Sequence, residues 1–461
     1  MGAILDKAIA GGLLVALVFT ALAFGANEAW SVGLFEVLIT LLLLLWAAKW
    51  VADKEIQIAV PMTAWPLAAL CALGIVQGFG LSLDREATWG ATMAIFFMLA
   101  AFLLAANFFA TRERLGLLVN LLVAYGLSLA VFALVQYFTF EGKIYWVRPT
   151  PYLAFGPFPN RNHYAGYMEM LAPLPFALIA ARAVRRQSWL FYGFAGVLMA
   201  ISVFVSLSRG GVMSVILGIA FVAMMSGRVK PRRAGRMVRD AVIVPSRFTR
   251  AVDVGKRLGG AMAIALTIIV GVFWIGAEGL INRAAESIDA IERDSNTPAD
   301  FYSRREIWRD TLRMVRAHPL LGVGLGAYNT VFPNFAHHDG MYKVDYAHND
   351  YLQALSDGGI IAGGLALWFI VLLGSSVWRA TRADDPLEAG LALGSGAGLF
   401  ALLIHSAFDF NLQIPSNALL FVFLSALVSR IAATVTERKP VARAARAARL
   451  EAGSLPTGVS L

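Results

Sequence analysis

Residues with catalytic or anion-binding side chains cluster at five places in the chain. They are Asn160, Arg161, Asn162 and His163; Ser206, Ser208 and Arg209; Arg304 and Arg305; His348, Asn349 and Asp350; and His405 with Asp409. Guanidinium groups bind phosphate through two parallel hydrogen bonds and keep their charge. If the fold brings these groups together, they predict a site for a phosphate-bearing ligand, whose binding residues include Asn160, His163, Asn349, Asp350 and Asp409.

His348 is the residue in these groups whose type best suits proton transfer. It lies in the segment 346–352, directly before a long apolar run. The ordinary pKa of histidine is near neutrality, so an imidazole can take and return a proton at working pH. We therefore expect His348 to be a catalytic base oriented by Asn349 or Asp350, the alternative being that it is a structural histidine.

Two other kinds of site have less support. One would be a zinc site made of His337, His338, Asp339 and His348. The other would be a nucleotide loop at Gly322, Gly324 and Gly326. The histidines lack the spacing of a helical zinc motif, and the glycines are not followed by the Lys-Ser/Thr of a phosphate-binding loop. We predict no metal or other cofactor, and tight turns at the glycines.

The elements that must position these residues are membrane helices. Of the 461 residues, 58% are hydrophobic and only 15% charged, whereas soluble domains carry about a quarter. A helix needs about 20 apolar residues to cross a bilayer. Twelve such runs are centred near Val18, Leu41, Leu70, Phe97, Val123, Leu174, Leu198, Leu217, Ile268, Trp368, Leu399 and Leu424. The sequence thus predicts an all-α polytopic membrane protein of about twelve spans.

The distribution of basic residues predicts the orientation. With the N-terminus in the cytoplasm, basic residues fall in the even-numbered connections, as the positive-inside rule requires. The strongest case is segment 227–257, whose partner would be anionic lipid, and we expect no nucleic-acid partner. Both termini are then cytoplasmic, and the long connections 139–162 and 279–357 face outward, the latter between spans nine and ten. Arg209, in a short outward connection, is not explained by this rule.

The sequence resembles the O-antigen ligase and O-antigen polymerase superfamily of bacterial envelope enzymes. The likeness runs in order from about residue 150 to 420 and is carried by four stretches and a further element. They are Pro159–Tyr167, Ser206–Gly211, Arg304–Trp308 followed by His318–Gly324, His348–Leu352 followed by Gly358-Gly359, and Asp409–Asn411 followed by Ile414-Pro415. We accordingly divide the chain into N-terminal membrane helices at 1–137, a ligase-like membrane domain at 138–434, and a basic cytoplasmic tail at 435–461.

The resemblance also implies an activity. Enzymes of this superfamily are metal-independent glycosyltransferases of the inner membrane, which move a glycan from an undecaprenyl-diphosphate carrier to a glycan, lipid or protein acceptor at the periplasmic face. Carried over to this sequence, it implies that His348 is the base and that Arg209 and Arg304 bind the diphosphate, with either Arg304 or Arg305 at the family position. Residue type and position alone add Arg305 and Arg161 as further binding residues. Direct displacement of the diphosphate would invert the configuration of the anomeric carbon.

The main alternative is a transporter or flippase for a lipid-linked or anionic envelope precursor. Such a protein would use the same arginines for binding without any reaction. It should carry ionisable residues within its membrane spans, but the apolar runs here have few, with Glu36 and Glu169 as the conspicuous exceptions.

Overall fold

Long helices make up most of the part of the chain that the structure describes. The computed structural model describes residues 2–139, 142–150, 154–229, 304–337 and 343–453, the side chains of the last stretch up to residue 438. The helices are α1 Gly2–Leu22, α2 Ala29–Asp53, α3 Ala64–Val76, α4 Arg85–Phe108, α5 Arg112–Phe138, α6 Arg161–Leu171, α7 Pro173–Ala180, α8 Trp189–Val205, α9 Arg209–Met225, α10 Arg304–Ala317, α11 Tyr328–Val331, α12 Asp350–Ala380, α13 Pro386–His405 and α14 Pro415–Gly453. A two-residue hairpin pairs β1 Lys143–Ile144 with β2 Arg148–Pro149.

Ten helices of the described part are long and apolar enough to cross a membrane. They are α1, α2, α3 with the turn that follows it, α4, α5, α8, α9, α12, α13 and α14, and each contains a predicted span centre. The predicted sixth span, near Leu174, is divided into α6 and α7. The predicted ninth span, near Ile268, lies outside the described residues. The prediction of a polytopic all-α membrane protein is thereby confirmed.

The division between α6 and α7 falls at Ala172 and Pro173. A proline inside a helix removes one backbone hydrogen bond and clashes with the carbonyl four residues before it. Helix α13 packs closely against this break, and its glycines make the approach possible. A Cβ on Gly398 would lie 2.2 Å from the carbonyl oxygen of Met170, so only glycine fits. Most residues of α13 are buried, which puts the helix at the centre of the bundle.

A smaller unit stands at the end of the bundle where α12 begins. Helix α10 and the turns that follow it enclose a separate apolar core, which includes Ile307, Met314, Tyr328 and Phe332. Ile307 and Met314 are the buried apolar residues that α10 contributes to this core. The predicted turns are also present, because Gly322, Gly324 and Gly326 all have positive φ, where side chains are disfavoured.

The smaller unit is tied to α12 by backbone hydrogen bonds. Val323 N donates to Ser356 O (2.9 Å), and Ile360 N donates to Pro319 O (2.9 Å). Between these contacts α12 is interrupted at Gly359, whose φ is +62°. A Cβ there would lie 2.2 Å from Leu320 O, so the crossing requires glycine. Helix α12 already begins at Asp350, inside the predicted loop 279–357.

The C-terminal tail continues the last span. Helix α14 runs from Pro415 to Gly453 without interruption, so the predicted boundary at residue 435 falls within a helix.

Candidate functional site

Three helices begin at one end of the bundle, and each is capped by a side chain from the predicted site. Asn160 Oδ1 accepts a hydrogen bond from Asn162 N (2.8 Å) at the start of α6. Ser208 Oγ accepts one from Gly211 N (3.2 Å) in α9. Asn349 Oδ1 accepts two, from Tyr351 N and Leu352 N, both at 3.0 Å, in α12. Such caps satisfy amides left free by the first helical turn, which explains why these residue types occur here.

A cavity of about 340 Å³ opens at this end of the bundle. Its walls come from α6, α9, α10 and the end of α13. The lining residues are Arg161, Asn162, Leu207, Ser208, Arg209, Gly210, Arg304, His405, Phe408 and Asp409. The structure therefore brings together residues that are up to 248 positions apart in the chain, from 161 to 409.

The cavity is suited to an anion. Three of the predicted arginines, Arg161, Arg209 and Arg304, line it. The first turns of α6 and α9 also form part of its wall, and helix N-termini carry partial positive charge that favours phosphate. The side chain of Arg305 is exposed, and this residue is not part of the lining. Of the adjacent pair, Arg304 is therefore the arginine of the cavity.

Asp409 connects the cavity to the predicted base. It is 1% exposed, and both of its oxygens face hydrogen-bond donors. Oδ2 accepts from Asn162 Nδ2 (2.7 Å) and Arg304 Nη2 (3.4 Å). Oδ1 accepts from Phe410 N (2.9 Å) and lies 3.4 Å from His348 Nδ1. Burial acts to raise the pKa of Asp409, but the neighbouring His348 imidazole and the Arg304 charge outweigh it and hold the pKa below its ordinary value. Asp409 is therefore ionised at neutral pH.

His348 lies near Oδ1 of Asp409, whereas Arg304 contacts Oδ2. Its side chain is 32% exposed, and it does not line the cavity itself. With Nδ1 turned towards Asp409, the imidazole keeps Nε2 for another partner, which is the arrangement that orients a general base. The backbone of His348 is left-handed, with φ of +50°, a conformation that costs a side chain roughly 1–2 kcal/mol.

Phe410 holds two histidines in place. Its ring meets His163 and His348 edge to face, each with a centroid distance of 4.9 Å, and Tyr346 stacks on it at 4.6 Å. His163 is buried, and its Nε2 has no hydrogen-bond partner in the described structure. These ring contacts restrict the rotation of His348, so Phe410 and Asp409 together fix its orientation.

The expected orienting partners of His348 make other contacts. Asn349, besides its capping role, donates from Nδ2 to Ala407 O (3.0 Å). Asp350 is buried and accepts from Leu412 N (3.1 Å). Both residues join the start of α12 to the loop after α13, the loop that carries Asp409. They position the histidine through the backbone, whereas Asp409 lies beside its ring.

Reasoning from the sequence missed several contacts at the site. The clearest is the ion pair of Glu169 in α6 with His405 at the end of α13, whose Oε2 and Nδ1 atoms are 3.0 Å apart. An ionisable residue within an apolar run was a signal for Glu169, but its partner is 236 residues away. Asn162 and Phe410, which hold Asp409 and His348, were likewise not singled out for these contacts.

The histidines of the alternative zinc site are only partly described. His337 contacts the side chain of Arg313, while His338 and Asp339 lie outside the described residues. Among the residues that are described, no group of three or more His, Cys, Asp or Glu side chains could hold a metal ion.

Fold and site together define a class: a polytopic membrane protein with a cationic cavity at one end of its helix bundle, next to a histidine and carboxylate pair. Residues 194–369 match the family model described as O-antigen ligase. This region includes Arg209, Arg304 and His348, and the match confirms the resemblance to the O-antigen ligase superfamily. No curated protein matches the chain.

Proposed function

We propose that this protein transfers a glycan from an undecaprenyl-diphosphate carrier to an acceptor hydroxyl, as an O-antigen ligase or a related polysaccharide polymerase. The observation that carries the proposal is one cavity lined by three arginines, with Asp409 in its wall and His348 beside Asp409. The family match over residues 194–369 supports the same kind of reaction. The acceptor is a lipid, a protein or a growing glycan.

The arginine cavity would bind the diphosphate of the donor. Arg161, Arg209 and Arg304 supply positive charge and several N–H donors in a small volume. As the bond between the sugar and the diphosphate breaks, negative charge grows on the leaving oxygen, and fixed cations stabilise that charge. Because arginine charge serves this purpose, the proposed reaction is independent of metal ions.

His348 would act on the acceptor. Its Nε2 takes the proton of the acceptor hydroxyl while the oxygen forms a new bond to the anomeric carbon. The bond from that carbon to the diphosphate breaks, and the lipid diphosphate leaves with the electron pair. Asp409 stabilises the imidazolium that forms, as the carboxylate does in other histidine and carboxylate pairs. Attack opposite to the leaving group inverts the anomeric configuration.

The proposed location follows from the charge distribution. The basic connections would lie in the cytoplasm with both termini, which places the cavity on the outward, periplasmic face of the inner membrane. A cysteine at Val147, an exposed residue of the connection 139–162, should react with a membrane-impermeant reagent in intact cells if this orientation is correct.

Transfer of a labelled glycan from its undecaprenyl-diphosphate carrier tests the function. Proteoliposomes with the wild-type protein should form the transfer product, and His348→Ala should abolish it while donor binding is retained. His318→Ala is a matched control, because His318 lies outside the cavity and contacts Phe335. Full activity of His348→Ala would exclude this histidine as the base.

One observation favours the second candidate, a transporter or flippase. Glu169 and His405 form a fully buried ion pair within the helix bundle, and ionisable residues in membrane spans often mark transport pathways. The same proteoliposomes distinguish the two functions. Movement of the lipid-linked glycan across the bilayer without any transfer product would establish the transporter.

A further inference from the structure

The buried pair of Glu169 and His405 has an unusual location. Glu169 is 0% exposed and His405 1% exposed, yet His405 belongs to the wall of the arginine cavity. Its Nδ1 lies 3.0 Å from Oε2 and 3.2 Å from Oε1 of Glu169. The imidazole thus connects a carboxylate inside the protein with the space in which an anion would bind.

The surroundings of Glu169 favour a charged pair. A buried carboxylate is costly unless it is paired and hydrogen-bonded. In the described structure, the hydrogen bonds to the Glu169 carboxylate come from His405 alone. An imidazolium with a carboxylate satisfies both groups, and leaves the second N–H of the imidazolium for another acceptor.

The second nitrogen of His405 is directed to the cavity side. A Cβ on Gly210 would lie 2.6 Å from His405 Nε2 and 2.5 Å from Cδ2. Gly210 itself lines the cavity. The Nε2 edge of the ring, opposite to the edge that contacts Glu169, therefore lies beside a residue of the cavity lining. Any side chain at position 210 would displace the ring.

Other charged and titratable groups surround His405 on every neighbouring element. They are Arg161 and His163 of α6, Arg209 of α9, Arg304 of α10, Asp350 of α12 and Asp409 of the loop after α13. The two carboxylates of this set accept hydrogen bonds from other residues, Asp409 from Asn162 and Asp350 from Leu412. An anion bound in the cavity would be a further acceptor for the second N–H of His405.

We propose that His405, held as an imidazolium by Glu169, donates a hydrogen bond from Nε2 to a phosphate oxygen of the ligand and so acts as a cationic contact beside the three arginines. The ligand class is a diphosphate ester or diphosphate. This inference deepens the proposed function and rests on it. Glu169 is a positioning residue, because it acts on the ligand only through the imidazole.

Binding measured against pH tests the proposal. The titrations use undecaprenyl diphosphate and, separately, inorganic pyrophosphate, between about pH 6.5 and about pH 8.5, where an unsupported histidine loses its charge. Because the phosphates of the ligand also lose protons near this range, the Kd of each variant is divided by the wild-type Kd at the same pH. In Glu169→Gln the imidazole loses its carboxylate, so the ratio of its Kd to the wild-type Kd should rise with pH. In His405→Gln the Kd should be raised about tenfold at every pH, as expected for the loss of one charge-assisted hydrogen bond.

Glu388→Gln is the matched control. Glu388 is also a buried carboxylate, with Arg438 as its partner, but it lies at the start of α13, at the opposite end of that helix from His405. This variant should bind both ligands as the wild type does. The melting temperature of every variant is recorded, and if His405→Gln does not fold, the pH profile of Glu169→Gln decides the question.

The outcomes distinguish the role of His405 from the proposed function. If Glu169→Gln keeps the pH profile of the wild type, the role of His405 is excluded, while weaker binding by Arg209→Ala would still support the proposed function. If the wild-type protein binds neither ligand, both proposals are wrong. If His405→Gln raises the Kd of both ligands, His405 contacts the diphosphate itself. If it raises the Kd of undecaprenyl diphosphate alone, His405 contacts the diphosphate only when the membrane holds the lipid.

Discussion

Replacement of Asp409 by asparagine tests the proposed mechanism most directly. Asparagine has the shape of aspartate, but one of its two terminal atoms is an NH2 group. On one side of residue 409 are Asn162 Nδ2 and Arg304 Nη2, and on the other is Phe410 N. These are all donors, so the NH2 group meets a donor whichever way the amide is turned. The variant therefore loses both the charge and one acceptor.

The expected losses follow from these contacts. A buried donor without a partner costs about 1–3 kcal/mol of stability. Without the carboxylate, His348 keeps its ring contacts but loses the group that orients Nδ1 and stabilises the imidazolium. General base catalysis contributes about 10²–10⁴ to a rate. We expect transfer to slow by about 100-fold, which corresponds to ~2.7 kcal/mol of activation free energy.

The assay measures transfer of labelled glycan in proteoliposomes well below the melting temperature, with donor binding in parallel. Asp310→Asn is the control, because Asp310 is another buried aspartate that accepts hydrogen bonds, from Arg313 and His337 N, but does not line the cavity. It should lose stability and keep its transfer rate. A rate for Asp409→Asn within about threefold of the wild type would refute the argument that this carboxylate orients the base.

Four further outcomes are expected. Arg209→Ala should raise the Kd for undecaprenyl diphosphate about tenfold, since it loses a charge-assisted contact, and Arg209→Lys should restore part of the affinity. Equal affinity of the wild type and both variants would contradict a role of Arg209 in binding. His348→Gly should abolish transfer but melt close to the wild type, because glycine relieves the strain of a positive φ, and added imidazole should restore part of the rate. Asn349→Ala should lower the free energy of unfolding by about 1 kcal/mol through loss of the cap, which a melting curve measures. The pKa of Asp409 is lower in the folded protein than in the unfolded chain. Its contribution to stability is therefore complete above about pH 5 and is lost as the pH falls below about 4. The melting temperature of Asp409→Asn should consequently fall less steeply with acid than that of the wild type.

The membrane architecture was largely predictable, because it depends on local composition. A span needs about 20 apolar residues in a row, and ten of the predicted runs are helices in the structure. The division at Pro173 was harder to place. Whether a proline breaks a membrane helix depends on the neighbouring helices that satisfy the freed backbone groups, and here the glycines of α13 allow that helix to pack against the break.

The contents of the site were predictable and its contacts were not. Residue types alone indicated an anion-binding cluster, and Arg161, Arg209 and Arg304 line one cavity. Which carboxylate lies beside His348 depends on how the loop after α13 folds over the start of α12. Neighbours in sequence favoured Asn349 and Asp350, whereas the structure places Asp409 next to the imidazole. Pairings of this kind are set by tertiary packing over long separations in the chain.

The glycine crossing between the loop 318–326 and α12 has a consequence for how the site is assembled. Backbone hydrogen bonds join that loop to both sides of the interruption at Gly359, and the first part of α12 begins directly after His348. Arg304 and His348 thus belong to the smaller unit and the part of α12 tied to it, whereas Arg161 and Arg209 belong to the membrane helices. Asp409 accepts hydrogen bonds from both parts, from Arg304 and from Asn162, so its carboxylate, together with the contacts of Asn349 and Asp350, sets the position of one half of the site relative to the other.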